Sequence, residues 1–158
     1  MTAHRGTGPE RGEVPATLVW VDSEEALIVR WEGAAQIERL ASDVPGRHRS
    51  TGHRRYDPNV RHGGGGTPDD RIERERLGRL RAFVRDVAAH VPAGDDVRIV
   101  GPGDVRLRLG RILRDEDRRL GRSRVVDTRA AGPLTERQLV AHVREIAGDP
   151  PPRLVRAR

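Results

Sequence analysis

The hydrophobic pattern of this chain changes its period once, and that change limits what the chain can fold into. Thr17-Leu18-Val19-Trp20-Val21-Asp22 and Ala26-Leu27-Ile28-Val29-Arg30-Trp31 are short apolar runs of β-forming residues. Asp22-Ser23-Glu24-Glu25 joins them with polar, turn-prone residues, so the pair predicts an antiparallel hairpin. Glu32-Gly33 ends the second run. Ala35-Gln36-Ile37-Glu38-Arg39-Leu40 then alternates apolar and polar, the pattern of a half-buried third strand. From Asp69 to His90 the spacing is different. Ile72, Leu77, Leu80, Val84, Val87, Ala88 and Val91 fall mainly at steps of three and four, one apolar stripe on a long helix. Asp69 and Asp70 suit its first turn, where the helix dipole favours negative charge. Pro92 and Gly94 stop it.

The remainder alternates strand and helix. Val97-Arg98-Ile99-Val100 reads as a strand and Gly101-Pro102-Gly103 as a tight turn. Asp104 is placed to cap a helix that buries Val105, Leu109, Ile112 and Leu113. Arg124-Val125-Val126-Asp127 reads as a short last strand. Thr135 and Gln138 then fit a capping box, and Leu134 and Leu139 occupy the two positions of a hydrophobic staple. Leu139, Val140, Val143, Ile146 and Ala147 make the buried stripe of that final helix. Three strands followed by helix, strand, helix, strand and helix predict an α/β fold. The first three strands form an antiparallel meander, and the later two add in parallel. This is the element order of the ribonuclease-H-like fold, a mixed five-stranded sheet with helices on its faces.

The chain has 158 residues, about one domain's worth. Its 30 basic residues, every one an arginine, stand against 24 acidic ones, a net +6. That excess is compatible with a nucleic-acid partner and does not require one. Cysteine is absent, which excludes a disulfide scaffold, a thiolate metal site and a cysteine nucleophile. Residues 1–14 mix Gly, Pro, Arg and Glu without period and are expected to be a disordered lead. Residues 15–148 make the α/β domain, with a long basic loop at 42–68 that contains Gly63-Gly64-Gly65-Gly66. Residues 149–158 make a Pro/Arg tail. No apolar run approaches the length of a membrane span, and Met1 to Glu13 lacks a signal-peptide core, so a cytoplasmic protein with no membrane partner is expected.

The order and spacing of several segments resemble a known family. Leu18-Val19-Trp20-Val21-Asp22, the strand pair after it, Asp43-Val44-Pro45-Gly46-Arg47-His48, the long charged helix and Val97-Arg98-Ile99-Val100-Gly101-Pro102-Gly103 carry the resemblance. Together they are similar to the middle domain of archaeal and eukaryotic peptide-chain release factors. They are similar also to that domain's relative in the ribosome-rescue factor Pelota. Bacterial stand-alone relatives are known as translational machinery proteins. The resemblance runs from about Thr17 to Ala147. It implies a ribosomal setting, with ribosomal RNA or tRNA as partner. Release factors carry Gly-Gly-Gln in the loop after the third strand, and no such motif is present here. The glycine run ends in Thr67, and the two glutamines, Gln36 and Gln138, lie in a strand and a helix. Peptide release by that route is therefore not expected. Pelota also lacks the motif and still acts on stalled ribosomes. The release factors' other two domains have no counterpart in this sequence, so stop-codon recognition is not expected.

The residues themselves offer two basic candidates for RNA contact. Arg47, His48, Arg49, His53, Arg54, Arg55, Tyr56 and Arg61 crowd residues 47–62 of the long loop against Asp57 alone. Guanidinium forks bind phosphate bidentately and stack on bases, and a tyrosine ring stacks as well. A solvated insertion is the plainer reading of the same loop. A secondary basic patch comprises Arg108, Arg111, Arg114 and Arg118, with Arg111 and Arg114 one turn apart. A helix surface laced with salt bridges explains that patch at least as well. His48, His53 and His62 match no familiar metal spacing, and no metal or other cofactor is expected. A nuclease of ribonuclease-H type would hold metal with several carboxylates. Asp22 suits the first-strand position, but the fourth strand ends in Gly101-Pro102-Gly103 without an acid, Asp104 comes late, and Asp127 and Glu73 are unanchored. Gly101-Pro102-Gly103 also lacks the rest of a dinucleotide fingerprint. The sequence thus favours a non-catalytic, ribosome- or RNA-associated binding module, with a nuclease centred on Asp22 or a protein-interaction domain as alternatives. Oligomeric state stays open.

Overall fold

Six consecutive buried residues make strand β1 (Ala16–Val21), and only the centre of a sheet covered on both faces can bury such a run. The computed structural model describes residues 15–45 and 67–149 and shows this arrangement. β1 pairs antiparallel with β2 (Glu25–Trp31) and parallel with β4 (Asp96–Gly101). β3 (Ala35–Ala41) adds antiparallel to β2, and β5 (Val125–Ala130) adds parallel to β4. The sheet order is β3-β2-β1-β4-β5, the mixed five-stranded sheet expected from the element order.

Alternation along the strands divides the core into two layers. Val19, Val21, Ala26, Ile28 and Ile99 face helices α1 (Pro68–His90) and α2 (Val105–Arg119), where they meet Leu80, Phe83, Val84, Val87, Leu109 and Leu113. Leu18, Trp20, Leu27, Val29 and Val100 face α3 (Glu136–Ile146), which contributes Leu139 and Val143. Burying such side chains stabilises the fold by about 1.5–3 kcal/mol each. Trp20 satisfies its indole by donating Nε1–H to the Gly132 carbonyl at 2.9 Å.

Two buried carboxylates pin the periphery. Asp95 accepts from Thr17 Oγ1 at 2.8 Å and from Arg30 Nε at 2.9 Å. That hydrogen bond to Asp95 raises the Arg30 pKa, so its charge is fixed. Asp117, at the end of α2, accepts the Arg124 backbone N–H at 2.9 Å and lies 3.0 Å from its Nε. Arg124 also donates to the Val91 carbonyl at 3.1 Å and to Glu116 at 2.8 Å. One guanidinium thereby ties the ends of α1 and α2 to the start of β5.

The structure departs from the sequence expectations in four places. β3 is exposed along nearly its whole length rather than half-buried, with only Leu40 packed on the core. It is an edge strand, and its charged Glu38 and Arg39 are typical of a protected edge. In α1 the buried set starts at Leu80 and includes Phe83, whereas Ile72 is 58% exposed. A 23-residue helix is about 35 Å long, while six- or seven-residue strands reach about 20 Å, so its first turns overhang the sheet. Asp104 stands at the N-cap of α2 without capping it. Its backbone is helical, at φ −99° and ψ −7°, and its carboxylate instead pairs with Arg108 at 3.1 Å. β5 extends to Ala130, three residues beyond the expected strand, and Arg124 precedes it. Both outer helices begin as their residues dictate. Thr135 and Gln138 cap α3, and Thr67 and Asp70 form a second capping box at α1. The Thr67 hydrogen bonds lower the Asp70 pKa.

Candidate nucleic-acid interface

Most arginines of the described surface are already neutralised. Arg79 pairs with Glu75 at 2.8 Å, Arg76 with Glu73 at 3.5 Å, Arg108 with Asp104 and Arg118 with Asp115 at 3.3 Å. Arg39 pairs with Glu25, and Arg129 with Asp127. On β4, Arg98 lies between Asp127 at 3.5 Å and Glu145 at 3.7 Å. Arg144 reaches Asp149 at 3.2 Å and covers the Trp31 ring at 4.9 Å from its centroid. Such exposed pairs contribute little to stability, about 0–1 kcal/mol each, but they leave no free charge for a ligand.

Arg81, Arg85 and Arg111 have no acidic partner among the described residues; Arg71, Arg114, Arg119 and Arg137 share that property, but these three line one cleft. The local sequence says why for the first two. The positions three and four residues away from Arg81 and Arg85 hold Leu77, Gly78, Ala82, Val84, Ala88 and Ala89, besides each other. No carboxylate is within helical reach, and the two like charges sit one turn apart, an arrangement that costs an isolated helix a few tenths of a kcal/mol. For Arg111 the candidate at helical spacing is Asp115, which is taken by Arg118. Packing of α1 on α2 brings these guanidinium groups to one place. Arg81, Arg85, Arg108 and Arg111 line a cleft of about 180 Å³ whose floor is Val84 and Ile112. An apolar floor between cationic walls can take a flat ring and hold anionic groups on either side.

The members of the expected basic patch have different surroundings. Arg108 and Arg111 join arginines of α1, to which the sequence reading assigned no role. Arg114 turns onto β5 and donates to Thr128 Oγ1 at 3.2 Å, and Arg118 is spent on Asp115. Arg47, His48, Arg49, His53, Arg54, Arg55, Tyr56 and Arg61 all lie outside the described residues.

A second cleft, of about 630 Å³, opens beyond the ends of β1 and β4. Asp22, Glu73, Arg76, Gly103, Asp104 and Arg108 are among its lining residues. Carboxylates of a nuclease would gather here, and Glu24 also lines the cleft, yet Asp22, Glu73 and Asp104 have other occupations. Asp22 Oδ1 accepts the backbone N–H groups of Glu24 at 2.7 Å and Glu25 at 2.8 Å, closing the β1–β2 turn. Glu73 and Asp104 are paired with arginines, and Asp127 lies between Arg98 and Arg129. Among the described residues no three His, Asp or Glu side chains assemble as a metal set. His90 donates Nδ1–H to the Asp86 carbonyl at 2.8 Å and lies 3.6 Å from Glu38. That backbone hydrogen bond is the main reason its pKa is raised. No described helix is long and apolar enough to cross a membrane.

No protein-family model matches the chain, and no curated protein matches it. Solved structures do, two of them translation factors. The Pelota protein of Thermoplasma acidophilum is 17% identical, with a TM-score of 0.48 over 86% of this chain and 33% of that one. An archaeal translation termination factor is 13% identical, with a TM-score of 0.46 over 88% of this chain and 35% of that one. The chain spans about a third of the length of each. They are the two kinds of protein that the sequence resembles.

Proposed function

We propose that this domain is a non-catalytic RNA-binding module of the translation apparatus. The observation that carries the reading is the set of unneutralised guanidinium groups, Arg81, Arg85 and Arg111, gathered across α1 and α2 at one cleft. Cations held together without acids are a standing attraction for a polyanion, and binding releases the counterions of that polyanion. The sequence resemblance to release-factor and Pelota middle domains directs the reading to ribosomal RNA or tRNA rather than to DNA. What supports a binding rather than a bond-breaking role is the engagement of Asp22 in its turn and of Glu73, Asp104 and Asp127 in ion pairs.

Sedimentation with purified ribosomes at low and high salt tests the reading. The protein is expected to travel with ribosomes at low salt, to leave them as salt rises, and to leave their RNA intact in magnesium. Failure to associate at low salt overturns it. Magnesium-stimulated RNA cleavage that disappears in Asp22→Ala overturns it in favour of a nuclease.

A further inference from the structure

The α1–α2 cleft has a shape and chemistry that distinguish among forms of RNA. Its volume of about 180 Å³ is well below the roughly 300 Å³ at which pockets begin to hold a whole small molecule. It therefore accepts one group belonging to something larger. Its floor is Val84, almost fully buried, and Ile112, partly buried. Neither side chain offers a hydrogen bond, so a phosphate on the floor would find partners only on the walls. An aromatic ring loses little on such a floor and gains apolar contact. The walls are guanidinium planes, which stack on bases and fork to phosphates. Arg81 and Arg85 are one turn apart on α1, about 6 Å along its axis. Arg111 stands on the opposite wall, also free of an acid. A duplex keeps its bases paired inside and presents phosphates and hydroxyls. Only a strand with an unpaired base can fill both floor and walls.

We propose that this cleft seats one unpaired base of a single-stranded RNA against Ile112, while Arg81, Arg85 and Arg111 hold the flanking phosphates. The proposal rests on the RNA-binding reading above and deepens it by naming the form of RNA and the seat.

Fluorescence anisotropy of the full chain, with a labelled ten-nucleotide RNA and with the same RNA annealed to its complement, tests it. The single strand is expected to bind at least about fivefold tighter than the duplex, the scale of one stacked base. The double variant Arg81→Ala/Arg85→Ala is expected to weaken single-strand binding about tenfold or more. Ile112→Gln keeps the charges but spoils the floor. It is expected to weaken the single strand severalfold and to leave the duplex unchanged. Arg129→Ala, on β5 and already paired with Asp127, serves as the control and is expected to change little. Equal affinity for strand and duplex overturns the base seat. Wild-type RNA binding that survives in Arg81→Ala/Arg85→Ala overturns the cleft and leaves the RNA-binding reading intact. Wild-type protein that binds neither RNA overturns both. Polyglutamate that displaces the single strand as well as unlabelled RNA does overturns the base seat, because it has no base to offer.

Discussion

Whether a glycine can be replaced depends on what a side chain there would meet, and this chain contains both extremes. Gly101 ends β4 with φ +151°, and a methyl group on it would drive into the backbone carbonyl of Val21 on the neighbouring strand. Gly101→Ala combines that clash with a backbone conformation that L-residues avoid, so it is expected to cost roughly 3–5 kcal/mol of folding stability. Gly78 sits exposed inside α1, and an added methyl meets nothing within 4 Å. Gly78→Ala is expected to stabilise the protein by about 0.5–1 kcal/mol. Urea unfolding of both variants checks the opposite signs. His90 gives a second prediction at this scale. Its imidazolium is favoured chiefly by the Asp86 carbonyl and secondarily by Glu38, so its folded pKa lies above its unfolded one. Its contribution to stability is therefore complete below the unfolded pKa and is lost as pH rises through the folded value. NMR titration is expected to place His90 above the ordinary histidine value. Glu38→Gln should lower it only in part, since the larger cause remains. A value at or below about 6.5 would contradict the Asp86 contact.

Among the elements, the joint most exposed to single substitutions is the one Arg124 makes. Asp117→Ala strips a buried guanidinium of its buried partner and leaves only the half-exposed Glu116, which is expected to cost about 3 kcal/mol. Arg124→Ala is expected to be similar, and the double variant less costly than the sum of the two, which a double-mutant cycle reads directly. Thr135→Ala removes one hydrogen bond of an exposed cap and is expected to cost only about 1 kcal/mol. The difference between these joints parallels what the sequence makes legible. The Thr135–Gln138 box is written within four residues and is found where it is read. The Thr67–Asp70 box is equally local but hides behind an aspartate where glutamate or glutamine is the usual signal. Asp104 has the right residue type and position, yet its backbone turns helical and withdraws the carboxylate. Strand order, too, follows from the alternation of elements, because a chain with short connections has few ways to join them. The exposure of β3 and the overhang of α1 do not follow from local pattern. They depend on how far each helix reaches across a sheet whose width no window of sequence contains.

The same gap between local pattern and assembly shapes the candidate interface of the whole molecule. Arg108 and Arg111 stand out in the sequence as part of a basic run, while Arg81 and Arg85 do not. Only the packing of α1 against α2 makes them opposite walls of one cleft. A signal for the α1 half does exist in the sequence: no carboxylate lies three or four positions from either arginine. The net +6 charge is a poorer guide, because ion pairs absorb most of the described arginines. These distinctions can be measured through salt. Each phosphate neutralised on a single strand contributes about 0.7 to the slope of log affinity against log salt. Three arginines engaging three phosphates therefore account for about 2 of that slope. Arg81→Ala/Arg85→Ala/Arg111→Ala is expected to lower the slope by about that amount, whatever other arginines contribute, because the difference cancels them. Replacing Arg79, Arg118 and Arg129 removes the same formal charge from positions already paired with acids. It is expected to leave the slope nearly unchanged. Equal losses in the two triple variants would mean that net charge, and not the arrangement of free guanidinium groups at the α1–α2 cleft, governs attraction to RNA.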